Sequence, residues 1–171
     1  MNIPMIKAIV ILPGTALVYV PALVVWLTRD TGYAASVPGT SAIPWLAALP
    51  FAGVSLVLMV WTMRLFMSKG GGGTPAPWEP IRNLIILGPY RYVRNPMLTG
   101  VILFLAAEAI FLQSVPVALW MAFFFVMNTV YFAFSEEPQL EKRYGQPYAD
   151  YKRNAGRWIP RLTPYDGTNE V

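Results

Sequence analysis

Long apolar runs are the feature that most constrains this chain of 171 residues. Residues 8–27, 43–63 and 115–134 are uncharged runs of 20, 21 and 20 residues. A run of this length spans about 30 Å as a helix, which is the thickness of the hydrocarbon core of a bilayer. Residues 97–112 form a shorter run of 16, which contains Glu108. The four runs predict an all-α, polytopic membrane bundle with four transmembrane helices.

Composition agrees with a lipid environment and excludes several kinds of chemistry. Of the residues, 56% are apolar and only 13% are charged, whereas roughly a quarter are charged in a typical soluble domain. Neither cysteine nor histidine is present. Disulfides, thiol nucleophiles, Ser-His-Asp triads and histidine-bound zinc are therefore excluded, and no metal centre is expected. The first apolar run is longer than that of a typical cleaved signal peptide, so a membrane span is favoured over that alternative.

Basic residues are distributed unequally between the two sides of the predicted membrane. Twelve lysines and arginines lie before the first span, between the second and third, or after the fourth, and Arg29 is the one basic residue in the other connections. Because basic loops stay on the cytoplasmic side, both termini are predicted to be cytoplasmic. The formal net charge of +4 is therefore interpreted as a topology signal, and no nucleic acid partner is expected.

The spans divide the chain into four segments. We predict a two-helix membrane scaffold (1–66), a cytoplasmic connector with a ligand-binding loop (67–96), a transmembrane hairpin (97–134) and a cytoplasmic C-terminal segment with its own helix (135–171). The hairpin is expected because only Gln113 and Ser114 separate the last two runs. The glycine run 70–73 is interpreted as a flexible joint, because no strand precedes it as a dinucleotide-binding loop requires.

The hairpin brings two polar segments together at one membrane boundary. From a turn near Ser114, Met97 and Glu136 lie at helix distances of about 25 and 33 Å. The 88–96 segment should therefore meet Glu136 and Glu137 on the cytoplasmic side. Aromatic rings, guanidinium groups, carboxylates and a helix N-terminus would then share one patch. Such a patch suits a ligand that carries both a cation and a carboxylate.

Each polar residue here also has a purely structural interpretation. Asn95 and Pro96 are typical of the cap and first residue of a helix. Glu136 and Glu137, followed by a proline, could open a cytoplasmic helix. Arginines and tyrosines at a membrane boundary could instead face lipid headgroups, which applies to Arg91, Arg94, Tyr90 and Tyr92. Within the spans, Glu108 is expected to be structural and to reach headgroups, and Asn128 to bond another helix.

Three segments in order resemble a known family. They are GPYRYVRNPMLTG at 88–100, EEPQL at 136–140, and a third from 144 to 160 that contains Tyr144-Gly145, Tyr148, Tyr151 and Trp158-Ile159-Pro160. Together they resemble the isoprenylcysteine carboxyl methyltransferase family, which is similar to the membrane phospholipid N-methyltransferases. The resemblance extends over residues 74–161.

The resemblance implies an integral membrane enzyme that uses S-adenosylmethionine, releases S-adenosylhomocysteine and methylates a lipophilic acceptor from the bilayer. The matching positions place the active site at the cytoplasmic face. Cofactor contacts are expected from Arg82, Asn83, Leu84, Ile85, Tyr90, Asn95, Pro96, Met97, Leu98 and Glu136. Catalytic roles are expected for Glu136, Arg94 and Glu137, and acceptor contacts for Arg91 and Tyr131.

Three positions depart from the family pattern and leave the acceptor open. Asn95 and Leu98 stand where the family has histidine and tyrosine, and Tyr131 stands near the place of an acceptor-binding arginine. A prenylcysteine carboxylate, an aminophospholipid, a thiol and another small hydrophobic acid all remain candidate acceptors. Two further alternatives are an NADPH-dependent reductase of the sterol-reductase type and a non-catalytic protein that binds lipid or a partner. The sequence leaves the oligomeric state open.

Overall fold

The computed structural model describes residues 11, 13–39, 41–72 and 82–167, and helices are the regular structure found there. They are α1 (Thr15–Thr28), α2 (Ile43–Lys69), α3 (Pro96–Phe111), α4 (Val115–Tyr144) and α5 (Gln146–Asn154). No β-strand occurs in these ranges, where an isolated parallel bridge pairs Val93 with Gly156. The all-α prediction is confirmed.

Two helices, α2 and α4, are long and apolar enough to cross a membrane. They contain 27 and 30 residues, and only 11% and 17% of their most apolar windows are buried. A core helix of a soluble protein would be mostly buried, so these exposed apolar faces fit contact with lipid. The described parts of the first and third predicted spans are shorter, and residues 8–10 and 12 lie outside the described residues. The count of four transmembrane helices, and with it the division into four segments, stays a prediction.

The boundaries of α3 match the prediction within one residue, but α2 and α4 continue beyond it. α2 extends from the predicted end at Met63 to Lys69. The interpretation that the paired glutamates open a cytoplasmic helix is confirmed in part, because an α-helical part begins at Glu137 but continues from α4, which runs without a break from Val115 to Tyr144. A π-helical turn, Phe132–Glu136, joins its two α-helical parts.

Prolines explain both π turns in this structure. The π turn in α1, Thr15–Tyr19, lies two residues before Pro21, and that in α4 lies two residues before Pro138. A proline has no N–H to donate, and its ring collides with the carbonyl four residues earlier in a regular α-helix. Widening the preceding turn moves that carbonyl aside, so each helix passes through its proline without breaking.

Small and polar residues hold the helices together. α2 and α3 cross closely where Ser55 Oγ donates a hydrogen bond of 2.7 Å to the carbonyl of Gly100. α4 is bound to α1 by the indole of Trp120, which donates at 3.0 Å to the carbonyl of Ala16. That carbonyl is free because Val20 N–H bonds Thr15 in the π turn and the next residue is a proline.

Connections alternate between two ends of the bundle, as the hairpin prediction requires. At one end Ser36 N–H donates to the carbonyl of Leu112 at 2.9 Å, so the loop after α1 lies beside the hairpin turn. Ser114 caps α4 there by accepting from Val117 N–H. The opposite end, called here the site end, contains residues 82–96, the C-terminal part of α4, α5 and residues 155–166.

Two polar residues within the spans differ from expectation. Asn128 Nδ2 donates to the carbonyl of Phe124 on its own helix at 2.8 Å, so the predicted bond to another helix is wrong. The amide thus returns to a carbonyl one turn earlier in α4. Glu108 Oε2 is buried without a hydrogen-bond partner, so this oxygen does not reach headgroups at the end of α3.

Candidate active site

The 82–96 loop begins by capping α2. Asn83 Nδ2 donates to the carbonyl of Lys69 at 3.2 Å, and the backbone N–H groups of Arg82 and Asn83 donate to that of Gly70. These bonds satisfy carbonyls that the end of a helix leaves free. Gly88 then adopts a φ of +56°, and a Cβ there would lie 2.9 Å from the ring of Trp61 on α2. Glycine is therefore required, both by the backbone angle and by the close approach.

Tyr90 is buried under α5. Its ring meets Phe66 of α2 edge to face at 5.9 Å, and its carbonyl accepts a 2.6 Å hydrogen bond from the Tyr151 hydroxyl. Tyr148 and Tyr151 of α5 form an apolar cluster with Ile86 and Ala155. Leu84 and Tyr165 pack against this cluster. The interpretation of Tyr90 as an interfacial belt residue is therefore wrong.

Burial keeps these phenols neutral. Loss of solvation and, to a lesser extent, the nearby Glu137 carboxylate raise the pKa of Tyr148 to about 12. Burial also raises the pKa of Tyr90 and of Tyr151 well above the ordinary value for tyrosine. None of the three can serve as a base near neutral pH.

Glu137 is the centre of a buried ion cluster. Its side chain is 3% exposed, and its Oε1 accepts from Arg94 Nη1 and from Arg157 Nε, both at 2.7 Å. Lys152 Nζ lies 3.3 Å from the other oxygen and 2.7 Å from Glu141. The cluster joins α4, the 82–96 loop, α5 and the segment after α5. The predicted meeting of residues 88–96 with the paired glutamates is confirmed, and Glu137 makes the contact.

The cations decide the ionisation state of Glu137. Burial by itself raises the pKa of this carboxyl, but the hydrogen bond from Arg157 and the charges of Arg94 and Arg157 outweigh it. The pKa therefore lies below its ordinary value. Glu137 stays ionised at neutral pH and neutralises the buried guanidinium groups.

Residues 155–166 form an irregular segment, called here the strap, that is bonded to the 82–96 loop. Arg94 N–H donates to the Gly156 carbonyl and Arg94 Nε to the Ala155 carbonyl, each at 2.9 Å. Farther along the strap, Arg161 N–H donates to the Tyr92 carbonyl at 2.9 Å. Backbone groups of the strap thus hold the loop in place.

Arg91 binds the end of the strap. Its Nε donates to the Tyr165 carbonyl at 3.1 Å, its own carbonyl accepts from Tyr165 N–H at 2.8 Å, and its guanidinium pairs with Asp166. The interpretation of Arg94 as a headgroup ligand is not supported, because its guanidinium is bound inside the protein. The side chain of Arg91 is bound to the strap but stays 37% exposed, so a headgroup contact of Arg91 stays a prediction. The predicted acceptor contact of Arg91 stays a prediction.

Glu136 differs from its neighbour in every contact. It lies in the π turn, it is half-buried, and its Oε2 accepts from the Tyr131 hydroxyl at 3.2 Å. Within the described ranges, no lysine or arginine lies at ion-pair distance from it. π turns within helices are frequent at functional sites. Of the two carboxylates, Glu136 is the one left to meet a cationic ligand.

Among the residues that the structure describes, two buried N–H donors at the site end have no hydrogen-bond partner. They are Asn95 Nδ2 and Trp158 Nε1, and each residue directly follows an arginine that binds Glu137. Asn95 stands at the cap position of α3, but its side chain makes no capping bond. Because a buried donor without an acceptor is costly, these N–H groups suit oxygen atoms of a ligand.

The remaining predicted cofactor residues are divided among several surroundings. Pro96 is fully buried, and Ile85 is also buried. Leu98 packs into the membrane core with Val101 and Leu105, and Met97 is half-buried. Arg82 and Asn83 lie exposed at the end of α2. Glu137 is thus bound to the strap through Arg157 and Tyr90 to α5 through Tyr151, whereas Asn83 is bonded to the end of α2.

Sequence reasoning missed two residues of the ion cluster, Arg157 and Lys152. Their exposure and partners depend on how α5 and the strap fold back over the loop. One signal could have found them, because a glutamate at the end of an apolar helix needs cations if it is buried. The basic residues after α4 were the available candidates.

Comparison with known proteins gives one match. A family model described as "Phospholipid methyltransferase" matches residues 45–147, well over half of the chain. The match includes α2, the 82–96 loop and all of α3 and α4, and it ends before the strap. No match was found among curated proteins or solved structures.

Proposed function

This chain belongs to the phospholipid methyltransferase family, and we propose that it transfers a methyl group from S-adenosylmethionine to a lipophilic acceptor drawn from the bilayer. The family and the exposed apolar helices support a methyltransferase that works in a membrane. The reaction would take place at the site end, and S-adenosylhomocysteine would be released there.

One observation carries this proposal. The 2.7 Å ion pair between Arg94 and Glu137 holds the 82–96 loop against the end of α4. Asn95 and Glu136 are the sequence neighbours of this pair, so the pair brings together the two segments that carry them. This grouping supports a small polar cofactor that faces a lipophilic acceptor.

The residues present fit S-adenosylmethionine. The unpartnered Asn95 amide suits an oxygen of its carboxylate or ribose, and the Glu136 carboxylate suits its ammonium or sulfonium charge. The bound cofactor supplies an electrophilic methyl group on a positively charged sulfur. Arg94 and Glu137 neutralise one another, so their contacts favour a positioning role, and their predicted catalytic role stays a prediction.

Methyl transfer is an in-line displacement, so positioning and exclusion of water are the main demands on the protein. The acceptor atom bonds the methyl carbon while the bond from that carbon to sulfur breaks. A carboxylate or thiolate acceptor needs no base once it is ionised. An amine acceptor must lose a proton, and Glu136 is the carboxylate that we propose as its base, because it is half-buried and its hydrogen bond is with a hydroxyl.

Cofactor binding tests the proposal. Purified protein in detergent is titrated with S-adenosylhomocysteine in a calorimeter. We expect saturable binding that Glu136→Gln and Asn95→Ala each weaken at least about tenfold, since each removes a charge-assisted or buried hydrogen bond. Lys142→Ala is the matched control, because Lys142 lies on the same helix about 12 Å beyond the apolar run. Its affinity should be that of the parent protein.

Other results would contradict the proposal. Unchanged affinity in both site variants would reject this assignment of residues. Thermal stabilisation by NADPH without stabilisation by S-adenosylhomocysteine would favour a reductase. Stabilisation by neither would favour a non-catalytic protein that binds lipid or a partner. Mass spectrometry of a lipid extract incubated with protein and labelled S-adenosylmethionine would then identify the acceptor.

A further inference from the structure

The strap exposes large apolar side chains at the site end. Ile159 is 81% exposed and Leu162 is fully exposed, at 101% of the reference value. Phe134, the last residue of the apolar run of α4, is also 81% exposed. Single exposed apolar residues are common on any protein. Here the exposed side chains belong to a strap that lies against the uncharged part of α4, and this position suggests what covers them.

The strap crosses α4 inside its uncharged run. The Trp158 ring packs on Phe125 at a centroid distance of 5.1 Å, and Arg157 Nη1 donates to the carbonyl of Thr129 at 3.2 Å. Both α4 residues belong to the uncharged run 115–134. Phe125 lies nine residues before its end, which corresponds to about 14 Å along the helix. The strap is therefore continuous with the face of α4 that fits contact with lipid.

The arginines of the strap are bound on the protein side. Arg157 binds Glu137, and Arg161 Nη1 donates to the carbonyl of Asn154 at 2.6 Å. The backbone N–H of Arg161 bonds the 82–96 loop. Ile159 lies between these two arginines and Leu162 follows the second, and both side chains are exposed. This arrangement, polar inward and apolar outward, is that of a segment lying in a membrane interface.

We propose that the strap docks into the lipid leaflet at the site end, with Ile159 and Leu162 inserted among the acyl chains. The bilayer itself is the partner that covers these two side chains. The family match ends before the strap, so this surface lies beyond the part of the chain that the match covers. Because the strap also holds Arg91, Tyr92 and Arg94, lipid contact would keep the 82–96 loop in place.

The absence of cysteine makes a direct test possible. Ile159→Cys and Leu162→Cys are made separately, labelled with an environment-sensitive fluorophore and reconstituted into phosphatidylcholine vesicles. Both positions are exposed, so the labels should not disturb folding. Lys142→Cys is the control on the same end of the molecule. Fluorescence is measured in vesicles with and without lipids that carry a nitroxide on the acyl chain, which quenches labels within the membrane. It is also measured with iodide on both sides of the membrane, which quenches labels in water.

We expect the labels at positions 159 and 162 to emit at a shorter wavelength than in water. Nitroxide lipids should quench most of their fluorescence, and iodide should quench little of it. The label at position 142 should give the reverse. Iodide quenching at 159 and 162 without nitroxide quenching would overturn the proposal. Because nitroxide lipids occupy both leaflets and no cofactor is added, the result is independent of orientation and of methyl transfer.

Discussion

Neighbouring carboxylates at 136 and 137 have opposite surroundings. Glu137 is buried against Arg94, Arg157 and Lys152, whereas Glu136 meets the Tyr131 hydroxyl at the start of the polar part of α4. A buried charge that loses its partners is strongly destabilising. A half-buried one that has no cation is available for a ligand. Stability and binding should therefore depend on different members of the pair.

Glu137→Gln should lower the free energy of unfolding by about 3–5 kcal/mol, because it leaves buried guanidinium groups without a counter-charge. Glu136→Gln is the matched control and should change it by less than about 1 kcal/mol. Denaturant titration in detergent micelles measures both. Equal losses in the two variants would contradict the assignment of Glu137 as the structural carboxylate.

The lowered pKa of Glu137 predicts how stability depends on pH. Because the folded pKa lies below the unfolded value of 4.5, the contribution is fully present above about pH 4.5 and is lost as pH falls through the folded pKa. Melting temperatures measured from pH 7 to pH 3 should fall more steeply for the parent protein than for Glu137→Gln. Parallel curves would show that Glu137 does not carry the effect.

At the scale of helices, the crossing of α2 and α3 depends on the missing side chain of Gly100. A Cβ there would lie 2.9 Å from Met59 Cγ, 3.2 Å from the Ser55 carbonyl oxygen and 3.4 Å from Leu58 Cβ. The Ser55 hydrogen bond to Gly100 also requires this close approach. Small residues at helix crossings are typical of membrane bundles, where close packing replaces the hydrophobic effect.

Gly100→Val should destabilise the protein by about 1–3 kcal/mol, because the added methyl groups force the two helices apart. Gly53→Ala in α2 is the control, since no neighbouring atom lies within 4 Å of a Cβ there. That change should be neutral or stabilising by up to about 1 kcal/mol, as alanine favours helix more than glycine does. Thermal unfolding in detergent checks both, and an equal loss in the two variants would contradict the close crossing.

At the scale of the whole molecule, the described connections alternate between two ends of the bundle. The loop after α1 and the hairpin turn share one end, while the 82–96 loop, α5 and the strap share the other. The unequal distribution of basic residues predicts that the site end is cytoplasmic. Gly32, with no atom within 4 Å of a Cβ, lies in the loop at the opposite end.

Gly32→Cys should react with a membrane-impermeant maleimide added to intact cells, and Lys142→Cys should react only after the cells are opened. The parent protein has no cysteine, so its lack of labelling is the background control. Labelling of position 142 in intact cells would contradict a cytoplasmic site end. Such a result would concern only the orientation in the membrane and would not bear on the contacts within the site.

The sequence predicted most of the fold because its signals are local. Uncharged length identified the apolar helices, and the two-residue link between residues 112 and 115 identified the hairpin. Helix rise then placed Arg94 beside the paired glutamates, and the ion pair with Glu137 confirms that meeting. The sequence could not show which of Glu136 and Glu137 meets Arg94. Adjacent residues on a helix differ in direction by about 100°, and the π turn changes that direction again.

The sequence by itself therefore determined that the helices suit a lipid environment, where the helices lie in the chain, and at which end of the bundle the polar groups collect. These depend on hydrophobic length and helix geometry, which act over short stretches of chain. Only the tertiary structure decided that Arg157 and Lys152 join Glu137, that α4 continues through Pro138, and that the strap is bonded to the 82–96 loop. Those contacts join residues far apart in sequence, and their energy depends on burial that exists only once the chain has packed.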